Sequence, residues 1–289
     1  MTQDATFTEH RVPRSDGNVY ARDYQGAGPA FVLMHGFPDN LHIYDFLVPH
    51  LVASGRRVVT FDFLGFGQSD KPAGAFYSFQ QQLGDLDAVV NYLALGKIVP
   101  VAHDASGAAA LNFTIDHPGS VASLVILNAA FANAPGVKWP ELIELFASPN
   151  LQALSGAILR APETFGWIVN FQREQFKNSL DAKHKARYDE FLGPLIDNNF
   201  RQQPGSAPAF MQMTAQFFEE LARNTARLPQ LATLDVPAKV IWGERDPYIN
   251  VGVAADFKSH LKQASLHLIQ AGHWLQIDEP ELVAKEMLS

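Results

Sequence analysis

The chain of 289 residues is 47% hydrophobic and 18% charged, with 20 glycines and 18 prolines, a globular composition that excludes disordered, collagen-like and coiled-coil chains. Its 22 Lys+Arg against 30 Asp+Glu leave a net charge of −8, which argues against a nucleic-acid partner. With no cysteine there are no disulfides, thiolate nucleophiles or cysteine metal sites.

The N-terminal residues carry neither a basic n-region nor an apolar h-region, and no apolar run reaches about 18 residues. The expectation is a cytoplasmic protein with no membrane partner, and oligomeric state stays open. Buried-strand runs are predicted at Ala30–Met34, Arg57–Phe61, Ile98–Ala102 and Leu124–Leu127, with a helix over Phe79–Leu95. Apolar strands alternating with helices predict an α/β fold with a mostly parallel central sheet flanked by helices. From 131 to 234 the pattern turns helical, rich in Phe, Gln and Asn and broken by prolines, which predicts an inserted helical cap. Strands return at Ala238–Trp242 and Ser265–Ile269, so residues 1–130 and 235–289 form the core.

In such sheets ligands bind at the loops following the strands. Those loops hold His35-Gly36-Phe37-Pro38, His103-Asp104-Ala105-Ser106-Gly107, Glu244-Arg245-Asp246 and Gly272-His273. The segment around Asp104 joins a strand to a helix, where a sharp turn projects a nucleophile above the sheet. A carboxylate there is ionised at neutral pH and displaces a leaving group at sp³ carbon, forming an ester. Water must then attack that ester, which calls for a base, His273, oriented by an acid, Asp246.

With these loops in this order the chain resembles the α/β-hydrolase fold, in its aspartate-nucleophile branches: haloalkane dehalogenases, haloacetate dehalogenases and epoxide hydrolases. Asp62 to Pro72 resembles haloalkane dehalogenases, and His35-Gly36-Phe37-Pro38 resembles epoxide hydrolases and haloacetate dehalogenases. The resemblance implies the order nucleophile Asp104, acid Asp246, base His273, with backbone N–H groups of Phe37 and Ala105 as the oxyanion hole. It implies no cofactor and no metal, and a small apolar organic substrate.

The departures bear on the substrate. Haloalkane dehalogenases usually place Trp after the nucleophile to hold the halide, and this chain has Ala105; Phe37 occupies the position of a second, Asn donor. A halide donor would have to come from Trp139 or Trp167. Epoxide opening needs a proton donor, and between 131 and 234 the only tyrosine is Tyr188, with His184 one helical turn before it. Haloacetate dehalogenases clamp a carboxylate with arginine beside the nucleophile, where this chain has Ala105 and Ser106.

Simpler readings stand beside these. Asp104 also suits a helix-capping turn, and Ser106 is an alternative nucleophile, two residues into the helix. Asn128, at an alternative acid position, reads as a structural hydrogen-bonding residue, and His35, His103 and His267 as packing or surface histidines. The expected function is hydrolysis through an ester on Asp104, with carbon–halogen cleavage ahead of epoxide hydrolysis by Tyr188 and His184. An ester or lactone hydrolase, or a non-hydrolytic protein of the same fold, are the other readings.

Overall fold

The computed structural model describes residues 5–289. Its strands are β1 (Thr8–Arg14), β2 (Gly17–Tyr24), β3 (Ala27–Met34), β4 (Arg56–Phe61), β5 (Ile98–Asp104), β6 (Leu124–Ala129), β7 (Ala238–Gly243) and β8 (Ala264–Ile269). They form one sheet in the order β1-β2-β4-β3-β5-β6-β7-β8. From β4 to β8 every neighbouring pair is parallel, while β1–β2 and β2–β4 are antiparallel. The reversal of strand order beside β3 places the loops after β3 and β5 over the middle of the sheet, where a crevice opens.

The parallel strands are continuous in apolar residues because helices cover both faces. Val32, Leu33, Met34, Val101, Ala102, Ile126 and Leu127 are completely buried. The flanking helix Phe79–Tyr92 begins where the Ser78 hydroxyl accepts the Gln81 N–H at 3.1 Å. It stops short of the expected Leu95, because Ala94 turns into the left-handed region at φ 46°.

The hairpin of β1 and β2 was not expected from hydrophobic pattern. At the edge of the sheet β1 buries only Val12 fully, so it carries no apolar run to read. The turn signal that marks it is Asp16-Gly17, with Gly17 at φ 148°.

Between β6 and β7 lie helices from Glu141–Ala147 to Leu228–Leu231. Asn and Gln side chains of this segment tie it to the loops of the core. Asn199 accepts from Asn40 at 2.9 Å and donates to the Pro38 carbonyl at 2.6 Å, while Gln212 accepts the Tyr77 N–H at 3.0 Å. Phenylalanines fill the space between: Phe210 meets Phe37, Phe146 and Phe200 with ring centroids 5.5–6.0 Å apart. Among the described residues no single helix is long and apolar enough to cross a membrane.

Candidate active site

Strand β5 ends at Asp104, whose φ of 53° is rare for a residue with a side chain. The chain then enters the helix Gly107–Asp116, so the Asp104 carboxylate projects from a tight strand-to-helix turn. Ser106 lies inside that turn, fully buried. Its hydroxyl is committed to the carbonyls of His103 at 2.7 Å and Met34 at 3.0 Å and accepts the His103 N–H at 2.9 Å. A hydroxyl pinned among backbone groups under the elbow is a structural tie, which removes Ser106 as a nucleophile.

Two loops grip the two oxygens of Asp104. The Phe37 N–H donates to Oδ1 at 3.1 Å, and His273 Nε2 stands 3.3 Å from Oδ2. On its other side His273 Nδ1 is 2.7 Å from Asp246 Oδ2. Asp246 is fixed in turn by the Tyr248 N–H at 2.9 Å and by the Asn128 amide at 2.9 Å. Asn128 also accepts the Gly243 N–H at 2.7 Å, so this uncharged residue near the end of β6 orients Asp246, as expected of a structural hydrogen-bonding residue.

Charge follows this geometry. Burial disfavours an imidazolium at His273, but the charge of Asp246 and hydrogen bonds to both carboxylates outweigh it and raise the pKa to about 10. Burial likewise disfavours the Asp104 carboxylate, and His273 with the Ala105 backbone N–H outweighs it, leaving the pKa lowered. Asp104 therefore stands as an anion with a proton held beside it.

Behind this row lie two further buried polar residues, His103 and Asp39. His103 Nε2 donates to the His273 carbonyl at 3.0 Å, and Asp39 Oδ2 accepts the Trp274 indole N–H at 2.9 Å. Burial, reinforced by the charge of His273, lowers the His103 pKa to about 3; burial raises that of Asp39 to about 7. His103 is thus neutral and supports the histidine loop from its backbone side. Its signal was its place beside Asp104.

The loops themselves rest on buried polar residues. Asp62 accepts the N–H groups of Leu41 and Gln68, both at 2.7 Å, and His35 Nε2 accepts the Phe63 N–H at 3.2 Å. The Asp62–Pro72 stretch therefore braces the Phe37 loop from below.

A hollow of about 540 Å³ opens above Asp104 and His273, walled by Phe37, Leu142, Ile143, Val169, Phe176 and Ile196, with Gln172 and Arg173 on its polar side. A second, of about 360 Å³, extends beside Ala105, with Trp139, Phe217 and Tyr248 in its wall. Trp139 thus reaches the site, packed edge-on to Phe217 at 4.8 Å.

Three other expected substrate-binding residues do not line either hollow. Trp167 is 65% exposed and stacks on Phe171 at 5.7 Å, because its helix turns a different face to the cleft. His184 is drawn to Glu279, with Nε2 2.9 Å from the carboxylate. Tyr188 is completely buried, its ring packed against Trp274 at 5.5 Å and its hydroxyl beside Gly272, behind the histidine loop. These positions correct the expectation of a His184–Tyr188 pair facing the substrate. Among the described residues no group of three His, Asp or Glu is arranged to hold a metal.

The fold and the loops around Asp104 define the class of protein, an α/β hydrolase. A family model for the alpha/beta hydrolase fold matches residues 29–280, and the chain belongs to that family. It is similar to bifunctional epoxide hydrolase 2 of Sus scrofa, 24% identical over 88% of this chain but only 50% of the relative, so it spans about half that protein's length. A fluoroacetate dehalogenase of a Burkholderia species is 39% identical over 36% of this chain and 35% of its own. The cis-3-alkyl-4-alkyloxetan-2-one decarboxylase of Xanthomonas campestris pv. campestris is 28% identical over 96% of this chain and 94% of its own. The solved structure of the epoxide hydrolase CorEH superposes with a TM-score of 0.72 at 19% identity, covering 98% of each chain, a likeness of fold.

Proposed function

We propose that this protein is a hydrolase working through a covalent ester on Asp104, and that it releases halide from a small, largely apolar substrate. The observation that carries the reading is the grip on Asp104: one oxygen on the Phe37 N–H, the other facing His273. In the first step the oxygen facing His273 attacks a halogen-bearing carbon. The new C–O bond forms as the C–X bond breaks, and halide leaves with the bonding pair. In this reading Trp139, in the wall of the hollow beside Ala105, supplies the indole N–H that holds the leaving halide.

Ester formation prepares the second step. It removes the Asp104 charge, one of the two that hold the His273 proton, so the imidazole pKa falls and its base form becomes available. Water then attacks the ester carbonyl carbon and gives a proton to His273. The resulting oxyanion stays on the oxygen held by the Phe37 and Ala105 N–H groups. Collapse expels the alkoxide, which takes the proton from His273, and the Asp104 carboxylic acid left behind returns its proton to His273, which restores the pair. In this reading the helices between β6 and β7 serve as a cap that keeps bulk water from the ester.

The cleft favours leaving groups that depart without a proton. Tyr248 is the one hydroxyl-bearing side chain among the lining residues described. It donates to Glu141 at 2.6 Å, and burial together with that hydrogen bond pushes its pKa up, which makes it a poor acid for epoxide opening. A second reading shares this logic and draws on the relative matched over nearly its whole length. Attack of Asp104 on the ring sp³ carbon of an oxetan-2-one frees a carboxylate. Loss of carbon dioxide then forms the alkene and returns the electron pair to Asp104, with no water consumed.

The test is the intact mass of His273→Gln after exposure to 1-bromohexane, 1,2-epoxyhexane and a cis-dialkyl oxetan-2-one. A hexyl adduct from the bromoalkane, absent in the further variant Asp104→Asn, is the expected result. Alkene released from the oxetanone without a bromoalkane adduct moves the assignment to the second reading. No adduct or turnover with any of the three, while the native protein cleaves simple esters, overturns both.

A further inference from the structure

The helix Pro162–Lys177 presents Val169, Gln172, Arg173 and Phe176 to the cleft, the i, i+3, i+4, i+7 positions of one face. On an apolar face an arginine is out of pattern, and such a break in local consistency marks functional positions. The amide of Gln172 is already committed, accepting the Leu142 N–H at 2.9 Å and donating to Tyr248 at 2.6 Å. Arg173 is not. Among the described residues only one Nη donates, to Asp197 at 2.8 Å, and the buried Nε has no hydrogen-bond partner. Asp197 divides itself with Arg201 at 3.3 Å, so the trio carries an excess of positive charge. Nη1 packs against Gly193, where a Cβ would stand 2.3 Å from it; the glycine makes room for the guanidinium.

The carboxylates that share this hollow carry the other sign. Asp104 and Asp246 flank a single imidazolium, an excess of negative charge at the reacting oxygen. A molecule with an anionic end is repelled from Asp104 and drawn to Arg173, which aligns it along the apolar walls between them. A fork-shaped guanidinium with free N–H groups suits a carboxylate in particular.

We infer that Arg173 is an anion subsite in the cleft, and that the substrate is an apolar chain bearing a carboxylate at the end remote from the carbon attacked. The proposed displacement at Asp104 underlies the reaction half of this inference; binding does not depend on it.

Calorimetric titration separates the two. Hexanoate is expected to bind the native protein and to bind Arg173→Gln at least about tenfold more weakly, with 1-hexanol as the uncharged comparison. Asp197→Asn removes the competing carboxylate and is expected to tighten hexanoate binding, which a purely structural ion pair would not do. Circular dichroism establishes that each variant is folded. Equal hexanoate affinity in native protein and Arg173→Gln, or weaker binding in a folded Asp197→Asn, overturns the subsite. In the reaction, the ratio of kcat/KM for 6-bromohexanoate to that for 1-bromohexane is expected to fall at least about tenfold in Arg173→Gln. An unchanged ratio overturns the substrate class. Hexanoate binding with the expected dependence, but no bromide released from either compound, supports the subsite and overturns the displacement.

Discussion

At Gly36 a Cβ would stand 2.3 Å from the Cβ and Oδ1 of Asp104, so the residue before the Phe37 N–H is glycine for lack of space. That closeness lets the loop after β3 reach the carboxylate. Asp104 itself holds a left-handed backbone, at a cost on the order of 1–3 kcal/mol, to stand clear of the sheet. Gly36→Ala must push the carboxylate away from both His273 and the Phe37 N–H. We expect a loss of about 100-fold in kcat, measured beside the thermal midpoint to separate misplacement from unfolding. Turnover near that of the native protein would show that the loop yields without moving Asp104. At this scale Asp104, His273, Asp246, Phe37 and Ala105 were legible in the sequence, because each sits at the end of a strand or in a short loop with a distinct local pattern. Trp167, His184 and Tyr188 were not placed correctly, since their orientation depends on how each helix is rotated against its neighbours.

Between elements, the decisive contact is where the helix Gly107–Asp116 leaves the elbow. A Cβ at Gly107 would lie 2.1 Å from the Ala130 carbonyl oxygen, so this helix and the end of β6 approach at backbone distance. Gly107→Ala should force them apart and cost about 1–3 kcal/mol of stability, read as a lower midpoint in urea unfolding. An unchanged midpoint would mean the helix shifts freely. The glycine three residues after β5 was visible in the sequence, but its neighbour is a chain segment 23 residues on, paired through the sheet. The β1–β2 hairpin shows the reverse limit: an edge strand with little to bury leaves almost no hydrophobic signal, whatever its hydrogen bonding.

For the whole molecule, the buried Asp39 links the site to stability. Burial raises its pKa to about 7 in the folded chain, from an ordinary carboxylate value of 3.8. Because the folded state holds this proton more tightly than the unfolded one, its contribution is greatest below the unfolded pKa and is lost as pH rises through about 7. Asp39→Asn keeps an acceptor for the Trp274 indole and removes the titrating carboxyl. The variant should therefore gain stability over the native protein as pH rises from 5 to 8, by about 2 kcal/mol across that interval. Chemical unfolding at the two pH values measures it, and a pH-independent difference would mean that Asp39 ionises freely in the fold.

By itself the sequence determined the alternation of buried strands and helices, the order of the four loops, and a carboxylate at the strand-to-helix turn after β5. All of these are written within short segments, in apolar runs and turn residues. The tertiary structure alone decided which residues of the helical segment face Asp104, that Asn128 orients Asp246, that Asp39 and His103 brace the histidine loop, and that Arg173 stands in the cleft wall. Each of these joins residues far apart in the chain. Burial, room for a side chain and the pairing of charges come into being only when distant elements pack together.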